Sequence, residues 1–98
     1  MPFEWDEAKD RTNLAKHGID FDEAIHIFDG PVLEIVDARR DYGETRILAI
    51  GLASGREISL VYTWRGPNRR IITARRAHAI ERRAYRQAFA TADRQRED

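Results

Sequence analysis

Lys16 and His17 stand side by side just ahead of Gly18, Arg46 opens a β-rich stretch, Arg75 and Arg76 close it, and Glu81, Arg82 and Tyr85 follow within one helical segment. These side chains cover three chemical jobs. Lys and His hold anions and donate protons, a guanidinium grips phosphate through a planar fork, and a carboxylate four residues from a phenol sets a base beside a proton donor or a stacking platform. His17 is expected at a helix C-terminus, where the dipole favours its protonated form. Arg46 and Arg75 are the favoured pair for a phosphate clamp. Each reading has an ordinary competitor. Basic residues gather at helix ends to satisfy carbonyls, Arg46 and Arg75 can form structural salt bridges to Glu44, Asp37 or Glu81, and Glu81 can act only as a cap.

The elements that must position these groups are legible as periodicities. Met1 to Trp5 reads as a short opening strand, and Asp6 as the N-cap of a helix running to about His17, which Gly18 stops. Asp20 and Glu23 have capping-box spacing for a second helix, with Phe21, Ala24, Ile25 and Phe28 on its apolar stripe and Asp29, Gly30 and Pro31 ending it. Val32 to Asp37, Arg46 to Ala53, Glu57 to Trp64 and Arg69 to Ala74 then read as four strands. A loop from Ala38 to Gly43, a tight turn at Ser54 and Gly55, and another at Gly66 to Asn68 imply an antiparallel meander. In the third of these strands Ile58, Leu60, Tyr62 and Trp64 share one face, and Glu57, Ser59, Val61 and Thr63 the other. Only one of Arg75 and Arg76 can face a given site, and Arg75 should share its face with Thr73 and Ile71. A final helix from near His78 should pack on the sheet through Ile80, Ala84, Ala88 and Ala92, flanked by Tyr85 and Phe89. Arg82, Arg83 and Arg86 would then point outward. The fold class is α+β: two N-terminal helices, a four-stranded antiparallel meander with a short N-terminal strand, and a C-terminal helix.

Ninety-eight residues, 42% of them hydrophobic, suffice for one core. The chain reads as one domain over residues 1–98, with 93–98 as a frayed tail. There are no cysteines and three scattered histidines, which leaves no zinc-ligand spacing, so neither metal nor other cofactor is expected. The acidic N-terminus lacks a leader-like apolar run and no later run is long enough for a membrane span, which points to the cytoplasm. Charge is segregated. Residues 1–64 hold seven Lys or Arg against thirteen acids, while residues 65–98 hold ten Arg against four. That arginine block is a candidate phosphodiester surface, and a solvated helix face is the alternative. Trp5, Phe21, Phe28 and Phe89 fall in apolar patterns expected of a core, and His26 and His78 show no evident partners.

Particular residues then resemble a known family. Phe3-Glu4-Trp5-Asp6, Lys9, Asn13, Lys16-His17-Gly18, Phe21, Ala24 and Phe28 carry the first half of the likeness. Asp41 to Glu44, Arg46, Gly51, Val61-Tyr62-Thr63, Ile72 to Ala77, Glu81-Arg82-Arg83 and Tyr85 carry the second. Over nearly its whole length the chain is similar to the BrnT family of RelE-like toxins. The resemblance implies a RelE-like fold and a ribonuclease that halts translation. It also implies a BrnA-type antitoxin, a ribbon-helix-helix DNA-binding protein that neutralises the toxin and represses their operon, so that operator DNA is reached only through it. Where the family has Ser or Thr to cap the last helix this chain has His78, although Glu81 keeps the reciprocal position. Metal-free RNA cleavage needs a base for the 2′-hydroxyl, cations for the growing phosphorane charge and an acid for the leaving 5′-oxygen. Lys16, His17, Arg46, Arg75, Glu81, Arg82 and Tyr85 form the pool for those roles. The alternative is a catalytically silent module that binds antitoxin and tunes repression. Direct DNA binding by this chain lacks a helix-turn-helix or ribbon-helix-helix signature.

Overall fold

A computed structural model describes residues 2–38, 41 and 43–97, with side chains as far as Phe89. The order is β1 (Phe3–Glu4), α1 (Glu7–His17), α2 (Phe21–Ala24), a 3₁₀ turn (Ile25–Asp29), β2 (Leu33–Val36), β3 (Ile47–Ala53), β4 (Arg56–Arg65), β5 (Asn68–Arg76) and α3 (Ala79–Glu97). β2 to β5 pair antiparallel in succession, but β1 adds a parallel strand beyond β5. The sheet is therefore five-stranded and mixed, in the order β1-β5-β4-β3-β2, rather than a four-stranded meander alone. Arg39, Arg40 and Tyr42 of the expected Ala38–Gly43 loop, Asp98 of the expected tail, and the Ala92 side chain lie outside the described residues.

Local chemistry explains the N-terminal elements. Asp6 caps α1 by accepting from the backbone N–H groups of Ala8 and Lys9, and Gly18 ends it in the left-handed region at φ 71°, donating to the Leu14 carbonyl. Asp20 caps α2 by accepting from the Glu23 N–H, but the Glu23 carboxylate turns to Arg56 at 2.6 Å instead of closing a capping box. The second helix is a single α turn that tightens to 3₁₀, so only one long N-terminal helix forms. Gly51 of β3 lies against this segment, and a Cβ there would stand 2.8 Å from the Ile27 Cβ.

The sheet separates two apolar layers. Ile19, Phe21, Ala24 and Ile27 pack on Ala49, Ala53, Ile58, Leu60, Tyr62, Ile71 and Ala74. On the opposite face Ile50, Ala77 and Tyr85 form a smaller cluster with Leu33, Leu48 and Phe89. The alternation expected for β4 holds in this division. The expected α3 stripe does not. Ile80 is 73% exposed and Ala88 is exposed, whereas Tyr85 is buried and Glu81, half-buried, faces the sheet. The inward row is Glu81, Tyr85 and Phe89. The apolar pattern missed it because a carboxylate occupies an inward position, matched there by Ser59 and Arg75.

Candidate active site

β5 carries the residues from which the site is built. Its register against β4 slips between Val61 and Tyr62: Val61 pairs with Thr73 and Tyr62 with Ile71, leaving Ile72 as an extra residue. The bulge puts Ile71 into the core with Tyr62 and sends Thr73 and Arg75 to the α3 face with Val61 and Ser59. Arg75 therefore shares a face with Thr73 but not with Ile71, a correction that strict two-residue alternation could not supply. Beyond the end of β1, Asn13 of α1 takes over the ladder along β5. Its amide oxygen accepts from the Ala74 N–H and the Thr73 hydroxyl, and its NH₂ donates to the carbonyls of Ala74 and Ile19. All four positions of the amide are used, and this buried side chain fixes α1 against the strand.

On the α3 face, Arg75 and Glu81 form a bidentate pair, with Nη1 at 2.7 Å from Oε1 and Nη2 at 2.9 Å from Oε2. Glu81 Oε1 also accepts from the Ser59 hydroxyl at 3.0 Å and the His78 backbone N–H at 2.7 Å. The Arg75 hydrogen bonds, with that backbone bond and the Ser59 hydroxyl adding to them against the opposing effect of burial, hold the Glu81 carboxyl down at about 2. A carboxylate so loaded with donors is a poor proton acceptor near neutrality. Glu81 thus caps α3 and orients Arg75. His78 supplies its carbonyl to the Arg82 N–H at the helix start. Arg75 Nη1 also donates to the Arg76 carbonyl. Of the five guanidinium donors, Nε–H and the second Nη2–H meet no partner among the described residues, and these two lie side by side in the fork that suits a phosphate. Ile35, Val36, Asp37, Ala38 and Leu48 join Arg75 and Glu81 around a cleft of about 230 Å³.

The other candidates fall elsewhere. Lys16 and His17 line a groove of about 370 Å³ between α1 and β5, with Asp6, Lys9, Thr12, Ile72 and Thr73. Arg46 precedes β3 on the α3 face, its Nε 3.4 Å from Glu44. It is two strands and four residues from Arg75, about 16 Å between Cα atoms by ordinary strand spacings. Arg82, expected to point outward, is half-buried and donates to the Ala77 carbonyl at 2.7 Å. Tyr85 is buried and donates to the Pro31 carbonyl at 2.9 Å, so its phenol ties α3 to the segment before β2. Arg75 and Glu81 are brought together, as are Lys16 and His17; the two clusters flank β5, while Arg46, Arg82 and Tyr85 stand apart. Sequence reasoning missed Ser59 and Asn13 as positioning groups. Ser59 shares its strand face with Glu57 and Thr63, so nothing in the alternation singled it out.

Much of the arginine block is internally paired. Arg70 meets Glu4 at 2.8 Å and Arg86 meets Glu57 at 2.6 Å. The Arg69 guanidinium lies 4.3 Å from the Phe28 ring centroid and 4.7 Å from that of Trp64. Tyr62, whose phenol is pushed up by burial, donates to Glu34. His26, without an evident partner in the sequence, meets Asp29 at 2.8 Å.

A held guanidinium with a spare fork, and a groove edged by lysines and a histidine, are the parts of a phosphate-handling protein. The family model for the BrnT ribonuclease toxin of type II toxin-antitoxin systems matches residues 5–81, and the chain belongs to that family. It is accordingly a ribonuclease toxin, with RNA as substrate and an antitoxin as partner. The match includes Arg75 and ends at Glu81, leaving Arg82 and Tyr85 beyond it. No curated protein shows a significant match to the chain.

Proposed function

We propose that the chain is a RelE-like, metal-independent endoribonuclease of the cytoplasm that cuts RNA by attack of a 2′-hydroxyl on the adjacent phosphorus. The observation that carries this reading is the Arg75 guanidinium, held end-on by Glu81 at a cleft that both residues line, with no partner on its side fork among the described residues. That fork binds two oxygens of the scissile phosphate and gains strength as charge grows on the phosphorane. Glu81 and Ser59 position Arg75 and take no proton. His17, with Lys16 beside it, would serve the same phosphate from across the edge of β5: it takes the 2′-hydroxyl proton as the bond to phosphorus forms, and the 5′-oxygen leaves, its bond to phosphorus broken, with the proton that His17 gained. A 2′,3′-cyclic phosphate is the product. Glu81 spends its oxygens on four protein donors, which leaves it unsuited to coordinating a metal. The partner is a BrnA-type ribbon-helix-helix antitoxin that covers this surface and alone contacts operator DNA.

Purified protein incubated with RNA in EDTA tests the reading. Cleavage with a cyclic phosphate end, lost in Arg75→Ala and His17→Ala proteins of unchanged circular dichroism, is the expected result. A second reading, a silent antitoxin-binding module, is favoured by the intramolecular bonds that occupy Arg46, Arg82 and Tyr85. Intact RNA alongside tight antitoxin binding would select it.

A further inference from the structure

We infer that the groove between α1 and β5 is a subsite for the sugar-phosphate backbone of single-stranded RNA, with Lys9 and Lys16 as its phosphate contacts and Thr12 as a hydrogen-bonding group. The inference rests on the ribonuclease reading for its ligand but concerns residues away from the Arg75 fork. Lys9, Thr12 and Lys16 recur at intervals of three and four along α1 and line one groove of about 370 Å³, closed on its strand side by Ile72 and Thr73. The carboxylate lining that groove, Asp6, is turned to the helix N-terminus, where its Oδ1 accepts from Ala8 N at 2.8 Å and Lys9 N at 3.3 Å. Neither lysine meets a carboxylate of a described residue within ion-pair distance, in contrast to Arg70 and Arg86. An incoming anion therefore gains two cations without breaking an existing pair.

The floor is stiff as well as basic. Asn13 bonds to both sides of the groove, to Ile19 on the helical side and to Thr73 and Ala74 on the strand. Lys9 and Lys16 are seven residues apart, about 10 Å along the helix, so two phosphates of an extended strand can be held at once. Asp6 and Asn13, which could read base edges, are committed to backbone groups, so the subsite is assigned to the sugar-phosphate backbone. Thr73 lines the groove while Arg75, two residues on, lines the other cleft. A strand bent around the edge of β5 reaches both.

The test is the salt dependence of binding to a fully 2′-O-methylated RNA oligonucleotide, which cannot be cleaved, followed by fluorescence anisotropy. Lys9→Gln and Lys16→Gln should each reduce the slope of log K against log salt by about 0.7, the value for one phosphate contact on a single strand. An unchanged slope in a double variant that keeps the wild-type urea midpoint overturns the subsite. Lys9- and Lys16-dependent capture of an oligoglutamate peptide, with RNA binding unaffected by either substitution, also overturns it and assigns the groove to an acidic protein segment. If the wild type leaves cleavable RNA intact yet the slopes fall as stated, the catalytic reading fails while the subsite stands.

Discussion

Glu81 accepts four hydrogen bonds on two oxygens, from Arg75 twice, Ser59 and the His78 N–H, and its role follows from that load. Its carboxyl is held at about 2 against an ordinary 4.5, so folding favours the charged form. The resulting stability is fully present above about pH 4.5 and drains away as pH falls toward 2. Urea unfolding should find Glu81→Gln weaker than wild type by about 2–3 kcal/mol at pH 7, with the gap narrowing at pH 3. A gap that widens with acid would contradict the clamp. Tyr85 calls for the opposite expectation. Its phenol is spent on the Pro31 carbonyl, so Tyr85→Phe should lower stability by about 1 kcal/mol and leave the rate of RNA cleavage within twofold of wild type, roughly the scatter of such assays. A large loss of cleavage in a folded Tyr85→Phe protein would restore the phenol to the chemistry.

At the scale of elements, Asn13 and Gly51 hold the site's frame. Asn13→Ala leaves the Ala74 N–H and the carbonyls of Ala74 and Ile19 without partners in the interior, a cost of about 2–4 kcal/mol that a denaturation midpoint will register. Gly51→Ala forces β3 and the Ile25–Asp29 turn apart and should cost about 1–3 kcal/mol. An unshifted midpoint in either variant would contradict the packing described. These elements also mark the limits of sequence reading. Asp6, Gly18 and the hairpin at Ser54 and Gly55 announced themselves because caps and positive φ select residue types. The parallel pairing of β1 with β5 did not, since Phe3 and Glu4 meet Arg69 and Arg70 across more than sixty residues of chain. The Ile72 bulge was hidden for a related reason: it is a property of two strands together, and neither strand alone carries its signal. The inward row of α3 was misread because Glu81, a charged residue, takes a position that apolar periodicity reserves for a hydrophobe.

Across the whole molecule, the C-terminal arginines were legible as a basic block, but their use was not. Arg69 is stacked on aromatic rings, Arg70 and Arg86 are matched by Glu4 and Glu57 from distant parts of the chain, and Arg75 is matched by Glu81 at the start of the next helix. Pairing converts much of the described block into scaffold: Arg75 is held by Glu81 at one cleft, and Arg82 and Arg86, held by the Ala77 carbonyl and Glu57, line another on α3 with Arg83. On the proposed reading the clefts on either side of β5 would share the work, the Arg75 cleft gripping the phosphate that reacts and the α1 groove bringing His17 to it and holding the strand that carries it. The central claim is that bidentate geometry at Arg75 is what catalysis requires. The most direct measurement is the single-turnover rate of RNA cleavage in EDTA for wild type and Arg75→Lys, which keeps the charge and removes the fork. EDTA-resistant cleavage that falls by about a hundredfold or more in Arg75→Lys, at an unchanged urea midpoint, is the expected result. Cleavage that EDTA abolishes, or that Arg75→Lys leaves intact, would contradict the account.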